Sequence, residues 1–351
     1  MCQLLLTGGG TAGHIIPNVV LYKRLKEASS AVKIAYIGSG APLEKQLLPA
    51  DLDYWSVPSG KFRRYFSWLN FIDPFKLLIG ICKSWYLLAK LKPKLIFSKG
   101  GYVALPVIIA GALRRIPIIA HESDASLGLV SRISAFFAKE FWCSYNSAKI
   151  EAEKRYPHLI TKIVPVLVRK EILTGSKESA LNICGFKNDK PVVLVMGGSL
   201  GAESINNLID KSKDEMLRKF NIIHICGKGK LRKGEIGQYF TLEYADTELP
   251  HFYALADLII GRSGANSLAE WRQLGVPVIL CPLGGTQSRG EQKLNAQAYL
   301  QDSPGIICDE NNITSKDFIS LCTKLLANNT KAAKTRVDVF DDYTKNFSPY
   351  F

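Results

Sequence analysis

The residues best suited to chemistry lie in a glycine cluster that follows the first apolar run of the chain. Gly8-Gly9-Gly10-Thr11-Ala12-Gly13 matches the pattern G-x-G-x-x-G, and His14 follows it directly. Glycines let the backbone approach a phosphate closely, and the free amides at the start of the next helix attract its negative charge. Histidine, with an ordinary pKa of about 6.5, suits proton transfer near neutral pH. The cluster therefore predicts a phosphate-binding turn with a candidate general base, His14, beside it.

This pattern alone does not identify a nicotinamide or flavin site. In dehydrogenases the second strand ends in an Asp or Glu about 20 residues after the loop, where the carboxylate binds the ribose. Here the second predicted strand ends Tyr36-Ile37-Gly38-Ser39-Gly40, without a carboxylate. The Walker A pattern G-x-x-x-x-G-K-[ST] does not occur in the chain. A Rossmann oxidoreductase stays a remote alternative, and a P-loop NTPase is not expected.

Two loops in the second half of the chain carry groups suited to a nucleotide. Gly197–Ala202 (GGSLGA) offers backbone amides and the Ser199 hydroxyl at a predicted helix start. In Arg262–Glu270 (RSGANSLAE), small residues end a predicted strand, and their amides can hold a diphosphate. Glu270 lies one to two turns into the following helix, where a carboxylate can accept both hydroxyls of a ribose.

A third segment adds groups suited to a sugar. Gln292 and Asn295 are three residues apart in Ser288–Asn295, so a helix places both amides on one face. Each of these features is common on protein surfaces. Three of them at successive strand ends of one domain predict a nucleotide-sugar site.

The elements that must position these residues follow an α/β pattern. Short β-branched runs alternate with longer helical patterns, as in parallel, doubly wound sheets, which bind ligands at the carboxyl ends of their strands. Strands are predicted at Gln3–Thr7, Lys33–Ile37, Tyr54–Val57, Leu95–Ser98, Ile116–Ala120, Phe141–Cys143, Pro191–Met196, Ile222–Cys226, Leu258–Ile260, Pro277–Cys281 and Gly305–Ile307. Helices are predicted, among others, at Ile15–Ala28, Ala104–Leu113 and Ser126–Ala138.

The alternation weakens across 151–188 and then restarts with a new strand and a new glycine loop. A chain of 351 residues is long enough for about two domains. We therefore predict an N-terminal domain at 1–165 and a C-terminal domain at 166–335. The segment 336–351 is expected to return to the first domain as a helix.

The composition is that of a basic globular protein, with 47% hydrophobic residues and a formal net charge of +14. This charge predicts an anionic partner such as a phosphorylated metabolite, a nucleic acid or an acidic membrane face. No window supplies the roughly 18 uninterrupted apolar residues of a transmembrane helix, and the N-terminus has no signal-peptide pattern. The eight cysteines lack CxxC spacing, so we expect a cytosolic protein without a disulfide framework or zinc site.

The segment Lys61–Lys94 combines aromatic, apolar and basic residues, and Phe75, Leu78, Ile79 and Cys82 follow helical spacing. These residues form either the buried face of a core helix or an interfacial patch with lysines toward anionic lipid. On the second interpretation the candidate membrane residues are Trp68, Phe75, Ile79, Lys83 and Trp85. The mixture of aromatic and basic residues in this segment also suits binding of single-stranded nucleic acid. A nucleic-acid-binding function would leave the glycine loops unexplained, so no nucleic-acid partner is expected.

Six separated motifs together resemble the MurG family of UDP-N-acetylglucosamine transferases. They are Thr7–Pro17 (TGGGTAGHIIP), Lys99–Tyr102 (KGGY), His121–Asp124 (HESD), Gly197–Ala202, Arg262–Glu270 and Ser288–Asn295. The resemblance implies a GT-B fold, two Rossmann-like domains facing a cleft. It also implies inverting transfer of N-acetylglucosamine from UDP-GlcNAc to the 4-hydroxyl of MurNAc in lipid I, which gives lipid II. The expected location is the cytoplasmic face of the bacterial plasma membrane, with peripheral attachment.

The resemblance also implies roles for individual residues. The implied donor-binding residues are Thr11, Gly13, Asp124, Arg169, Ser199, Ser263, Gly264, Ala265, Glu270, Gln292 and Asn295. The implied acceptor-binding residues are Gly10, Thr11, Ala12, Gly13, His14, Gly100, Gly101 and Tyr102. The chain departs from the family at Ala12, Asp124 and Glu291, where many members have Gly, an amide and Gln.

An inverting transfer needs a base for the acceptor hydroxyl, stabilisation of the departing UDP, and alignment of the two reactants. We favour His14 as the base, while Glu122 could orient it or act itself, so the assignment stays open. Loop amides can stabilise UDP, and neither a metal nor another cofactor is expected. Asp51-Leu52-Asp53 matches a DxD metal motif but lies far in sequence from the nucleotide loops. The alternative function is another GT-B UDP-sugar transferase with a lipid or small-molecule acceptor.

Overall fold

A computed structural model describes residues 2–60, 69–198, 201–284, 290–328 and 339–350. The chain divides into two compact units, one of Met1–Leu167 with Asp338–Phe351 and the other of Val168–Val337. Each unit has its own parallel sheet with helices. This arrangement confirms the predicted fold class of two α/β domains.

The first unit contains a seven-stranded parallel sheet in the order β3-β2-β1-β4-β5-β6-β7. Its strands are β1 (Leu4–Thr7), β2 (Ile34–Gly38), β3 (Asp53–Ser56), β4 (Leu95–Ser98), β5 (Ile118–Glu122), β6 (Glu140–Cys143) and β7 (Ile160–Ile163). Its helices are α1 (Ala12–Ala28), α2 (Pro42–Leu47), α3 (Leu69–Leu91), α4 (Leu105–Leu113), α5 (Leu129–Phe137), α6 (Asn146–Arg155) and α13 (Phe340–Phe347). The order reverses between β1 and β4, and open parallel sheets bind ligands beyond the carboxyl ends of the strands at such a point.

The second unit contains a six-stranded parallel sheet in the order β10-β9-β8-β11-β12-β13. Its strands are β8 (Val192–Met196), β9 (Asn221–Ile225), β10 (Tyr239–Leu242), β11 (Leu258–Gly261), β12 (Val278–Leu280) and β13 (Gly305–Ile307). Its helices are α7 (Lys177–Cys184), α8 (Glu203–Leu217), α9 (Leu249–Leu255), α10 (Ala265–Leu274), α11 (Glu291–Tyr299) and α12 (Ser315–Ala327). Here the order reverses between β8 and β11, the strands that precede the two predicted nucleotide loops.

The C-terminal helix α13 belongs to the core of the first unit. Phe347 is fully buried and stacks on Trp142, with ring centroids 5.3 Å apart and an angle of 23° between the rings. The Tyr343 hydroxyl, also buried, lies 3.1 Å from the Pro165 carbonyl oxygen and 3.2 Å from His121 Nδ1. Aromatic burial of this kind contributes strongly to stability. The last described residues therefore pack in the core beneath the sheet strand that leads to the first glycine turn.

Candidate active site

Two glycine turns, one after β1 and one after β4, pack closely against each other in the first unit. Gly10 has φ 87° and Gly101 has φ 77°, a region that residues with a Cβ rarely adopt. A Cβ on Gly10 would lie 2.5 Å from Tyr102 Cε1, and one on Gly101 would lie 2.2 Å from the Gly9 carbonyl oxygen. The two turns pack together only because these positions are glycine. These turns and the first turn of α1 hold all the predicted acceptor residues: Gly10, Thr11, Ala12, Gly13, His14, Gly100, Gly101 and Tyr102.

His14 lies in the first turn of α1, and the β4 turn fixes its imidazole. His14 Nδ1 is 2.9 Å from the Lys99 carbonyl oxygen, and a Cβ on Gly101 would lie 3.0 Å from the ring carbon Cδ2. A carbonyl oxygen only accepts hydrogen bonds, so Nδ1 carries the proton of the neutral ring. Nε2 is then the nitrogen that can take a proton from a substrate hydroxyl.

Lys99 continues from this turn into a buried polar cluster. Its side chain is 2% exposed, and Nζ lies 2.6 Å from Ser123 Oγ and 3.0 Å from His121 Nδ1. Burial lowers the pKa of Lys99 to about 7, although the carboxylates of Glu122 and Asp124 oppose this shift. Burial and the neighbouring Lys99 also hold the pKa of His121 well below its ordinary value. Neutral His121 therefore acts as an acceptor for Lys99 and not as a proton-transfer group.

Glu122 ends β5, and its two carboxylate oxygens bind the turn that follows. Oε1 accepts from the Asp124 backbone amide at 2.9 Å, while Oε2 accepts from the Ser131 hydroxyl and, at 3.4 Å, from the Gly128 amide. Burial raises the pKa of Glu122, and the nearby Asp124 carboxylate raises it further. Glu122 thus closes the loop between β5 and α5. Both carboxylate oxygens of Glu122 accept hydrogen bonds within its own unit, and the choice between His14 and Glu122 as the base stays a prediction.

In the second unit, the start of α10 stands where the diphosphate contacts were predicted. A Cβ on Gly264, the residue before this helix, would meet no atom within 4 Å, so the backbone here is open. Ser263 is fully buried, and its hydroxyl donates to the Gln292 carbonyl oxygen at 2.7 Å. Asn295, also fully buried, donates from Nδ2 to the Ser263 carbonyl oxygen at 3.2 Å. Together they hold the helix start, including Ala265, in a fixed position.

Gln292 and Asn295 are on one face of α11, as their spacing predicts, but both side chains reach the backbone of their own unit. Gln292 Oε1 accepts from the Leu283 amide at 3.0 Å, which leaves its NH2 group as the part able to donate to a sugar hydroxyl. Asn295 is buried behind Ser263. Their roles as sugar contacts stay predictions, and the structure gives Asn295 a supporting position.

Glu270 projects from α10 into a cluster of three polar side chains. Its Oε2 accepts from the Tyr253 hydroxyl at 2.8 Å, and its Oε1 lies 3.8 Å from Arg169 Nη2. Arg169 Nη1 in turn lies 3.3 Å from Asp246 Oδ1. Burial raises the pKa of Glu270, and Arg169 and then Tyr253 oppose this rise. The arrangement presents a largely buried carboxylate beside the open helix start.

The loop after β8 also keeps the predicted glycine geometry. Gly198 has φ 91° and Gly201 has φ 67°, and a Cβ on Gly201 would lie 2.1 Å from the Cys226 carbonyl oxygen. Ser199, the predicted diphosphate contact of this loop, lies outside the described residues. The loop leads into α8 at Glu203.

The DxD sequence lies at the amino ends of the strands of the first sheet, opposite the end that carries the glycine turns. Asp53 begins β3, at the amino end of that strand, and Asp51 accepts a hydrogen bond from the Tyr22 hydroxyl at 2.8 Å. The glycine turns follow the carboxyl ends of β1 and β4. The two carboxylates therefore do not join the acceptor turns.

The apolar stripe of α3 faces outward. Phe75, Leu78 and Ile79 are 68%, 59% and 58% exposed, so their interpretation as a core face is wrong. The buried side of the helix instead contains small residues such as Gly80 and Ser84. Lys83 and Trp85 are exposed as well, with the Arg114 guanidinium 4.1 Å above the Trp85 ring. Trp68 lies outside the described residues, within which no helix combines the length and apolarity needed to cross a bilayer.

Sequence reasoning missed the residues that support the site from behind. They are Lys99, Ser123 and Tyr343 in the first unit and Asp246, Tyr253 and Glu310 in the second. Glu310 forms a buried ion pair of 2.6 Å with Arg262, the first residue of the RSGANSLAE motif. The usable signal for Lys99 and Ser123 was their place in the motifs Lys99–Tyr102 and His121–Asp124.

Comparisons with known proteins agree with this geometry. Residues 4–142 match the glycosyltransferase family 28 N-terminal domain, and residues 192–345 match its C-terminal domain. A UDP-N-acetylglucosamine--N-acetylmuramyl-(pentapeptide) pyrophosphoryl-undecaprenol N-acetylglucosamine transferase of Clostridium tetani is 40% identical over 95% of this chain and 92% of its own length. The transferase of that name from Legionella pneumophila (strain Lens) is 43% identical over 85% of this chain and 81% of its own.

A solved structure shares the fold. The Acinetobacter baumannii MurG structure has a TM-score of 0.75 and 21% identity, covering 99% of this chain and 100% of its own. This likeness confirms the predicted GT-B fold class.

The buried Lys99 predicts a pH-dependent stability. The folded-state pKa is about 7, whereas an unfolded lysine titrates at about 10.4. Between these values only the unfolded state holds the proton, so rising pH favours the folded state. The free energy of unfolding of the wild type, relative to Lys99→Met, should therefore rise by roughly 2 kcal/mol from pH 7 to pH 9.

Urea unfolding of the full chain at several pH values measures this difference. Lys23→Met, which changes an exposed lysine of α1, serves as the matched control and should give a difference that does not vary with pH. A pH-independent difference for Lys99→Met would show that Lys99 is not held in a costly buried position.

Proposed function

Because the chain belongs to the MurG family, within glycosyltransferase family 28, we propose that it transfers N-acetylglucosamine from UDP-GlcNAc to the 4-hydroxyl of MurNAc in lipid I. The product is lipid II, a precursor of peptidoglycan. The observation that carries the proposal is the 40% identity over 95% of the chain to a transferase named for this reaction. The position of the glycine turns at the switch points of both sheets supports it.

The second unit supplies the donor site in this proposal. The open amides at the start of α10, near Gly264 and Ala265, receive the diphosphate, since a helix N-terminus favours negative charge. The Glu270 carboxylate accepts the ribose hydroxyls, and the Gln292 NH2 group contacts the sugar. Arg169, which pairs with Glu270 and Asp246, is within reach of the same nucleotide.

The first unit supplies the acceptor site and the base. His14 Nε2 takes the proton of the 4-hydroxyl as its oxygen attacks the anomeric carbon from the face opposite UDP. The bond from that carbon to the phosphate oxygen breaks, UDP leaves with the electron pair, and the configuration inverts. The Lys99 carbonyl holds Nδ1–H and stabilises the imidazolium that forms.

The transfer itself is tested with purified protein, labelled UDP-GlcNAc and a lipid I analogue in detergent containing EDTA. We expect UDP release and labelled lipid in equal amounts. Transfer only to a different acceptor would support another GT-B transferase. Loss of activity in EDTA would contradict the expectation that no metal is needed.

The base assignment is tested with His14→Gln, which keeps a hydrogen-bonding side chain but cannot take a proton. General base catalysis contributes about 10²- to 10⁴-fold, so kcat should fall by about that factor while the KM for UDP-GlcNAc changes little. Ser131→Ala, which removes a donor to Glu122, is the comparison variant and should retain most of kcat. A large rise in donor KM with unchanged kcat for His14→Gln would contradict its role as the base.

We also infer that the exposed face of α3 attaches the protein peripherally to the anionic cytoplasmic membrane surface. An apolar patch flanked by basic residues is suited to the lipid interface. The double variant Phe75→Glu/Ile79→Glu should lose binding to vesicles containing phosphatidylglycerol, measured by co-sedimentation. Ile236→Glu, at an exposed apolar residue of the second unit, should bind like the wild type. Vesicle binding that survives the double change would contradict this attachment surface.

A further inference from the structure

We infer that Tyr253 is a positioning residue for nucleotide recognition, because its hydroxyl holds the Glu270 carboxylate in the orientation that accepts the ribose hydroxyls. The inference rests on the proposed function, in which Glu270 binds the ribose of UDP. It adds a residue to that site which does not itself touch the ligand.

The contact is direct and enclosed. Tyr253 lies on α9, is 1% exposed, and donates from its hydroxyl to Glu270 Oε2 at 2.8 Å. The Glu270 side chain is 16% exposed, so one end of the carboxylate faces the protein interior. A hydrogen bond to a charged acceptor in such surroundings is stronger than one between neutral groups.

The hydrogen-bonding capacity of the carboxylate allows both contacts. An ionised carboxylate offers about four acceptor positions. Tyr253 takes one position on Oε2, which leaves positions on Oε1 and on Oε2 for two ribose hydroxyls. Because the phenol fixes the carboxylate plane, these positions keep a defined direction before the nucleotide arrives.

Arg169 competes for the same carboxylate from the other side. Arg169 Nη2 is 3.8 Å from Glu270 Oε1, and Nη1 is 3.3 Å from Asp246 Oδ1. Without the Tyr253 hydroxyl, the Glu270 carboxylate can rotate toward this guanidinium. Its oxygens would then accept hydrogen bonds from Arg169 instead of from the ribose. The phenol therefore opposes a rearrangement that would weaken ribose binding.

The same contact helps to keep Glu270 ionised. Burial raises the pKa of Glu270, while Arg169 and the Tyr253 hydroxyl lower it. Removing the hydroxyl should raise the pKa further, so more of the carboxyl is protonated at mildly acidic pH. Nucleotide affinity in a Tyr253→Phe protein should consequently fall off at a higher pH than in the wild type.

The test is UDP binding to the full chain, measured by calorimetry, in a double-mutant cycle of Tyr253→Phe and Glu270→Ala. We expect Tyr253→Phe to weaken UDP binding about tenfold. In the Glu270→Ala background the same change should have little further effect, because the group that Tyr253 positions is absent. The ratio of the dissociation constant of 2′-deoxy-UDP to that of UDP should also be smaller for Tyr253→Phe than for the wild type.

A matched control removes a different buried hydroxyl of the same unit. The Tyr239 hydroxyl lies 2.7 Å from His224 Nδ1 on the strands β9 and β10, so Tyr239→Phe should leave UDP affinity unchanged. An equal loss from Tyr253→Phe with and without Glu270 would overturn the inference, since it would indicate a general structural effect. If UDP binding requires Glu270 but not Tyr253, the inference about Tyr253 is wrong and the proposed function is unaffected. Absence of UDP binding by the wild type would overturn the proposed function with it.

Discussion

The close approach of two glycine turns is the constraint on which the first unit depends. Gly101 lies against the Gly9 carbonyl, and Gly10 lies against the Tyr102 ring, so neither position has room for a Cβ. This approach brings the Lys99 carbonyl to His14 and selects the ring nitrogen that can accept a proton. It also directs the Lys99 side chain inward, where the polar groups of β5 must solvate a buried amine. The position of the candidate base His14 and the buried polar cluster thus have one cause.

The second unit meets a different demand, because it must keep the start of α10 open and a carboxylate available beside it. Ser263 and Asn295 hold the helix start from behind without covering it. Glu270 is costly to bury as an ion, and the Tyr253 hydroxyl and the Arg169 guanidinium offset part of that cost. In both units, the groups proposed to contact a ligand are held in their orientation by hydrogen bonds to buried residues, and those buried residues would not themselves touch the ligand.

The sequence predicts the strands that are buried on both faces consistently and the edge strands unevenly. Central strands of a parallel sheet are covered on both faces and appear as continuous apolar runs, and each of them is predicted to within two residues. The partly exposed edge strands Asp53–Ser56 and Gly305–Ile307 were predicted as well. The strands Ile160–Ile163 and Tyr239–Leu242 are short edge strands with partly exposed residues, and they were missed. Periodicity groups Phe75 with Ile79 but does not tell which helix face is buried. Similarly, spacing places Gln292 and Asn295 together, but only tertiary structure shows that both bind backbone groups.

In the proposed mechanism the second unit takes the nucleotide, while the first unit reserves His14 for the acceptor. The most direct measurement is a crystal structure of the protein with UDP-GlcNAc bound. We expect the ribose hydroxyls on the Glu270 carboxylate and the diphosphate at the start of α10, with His14 Nδ1 still on the Lys99 carbonyl. A nucleotide bound instead with its diphosphate in the Gly8–Gly13 turn would contradict this division between the two units.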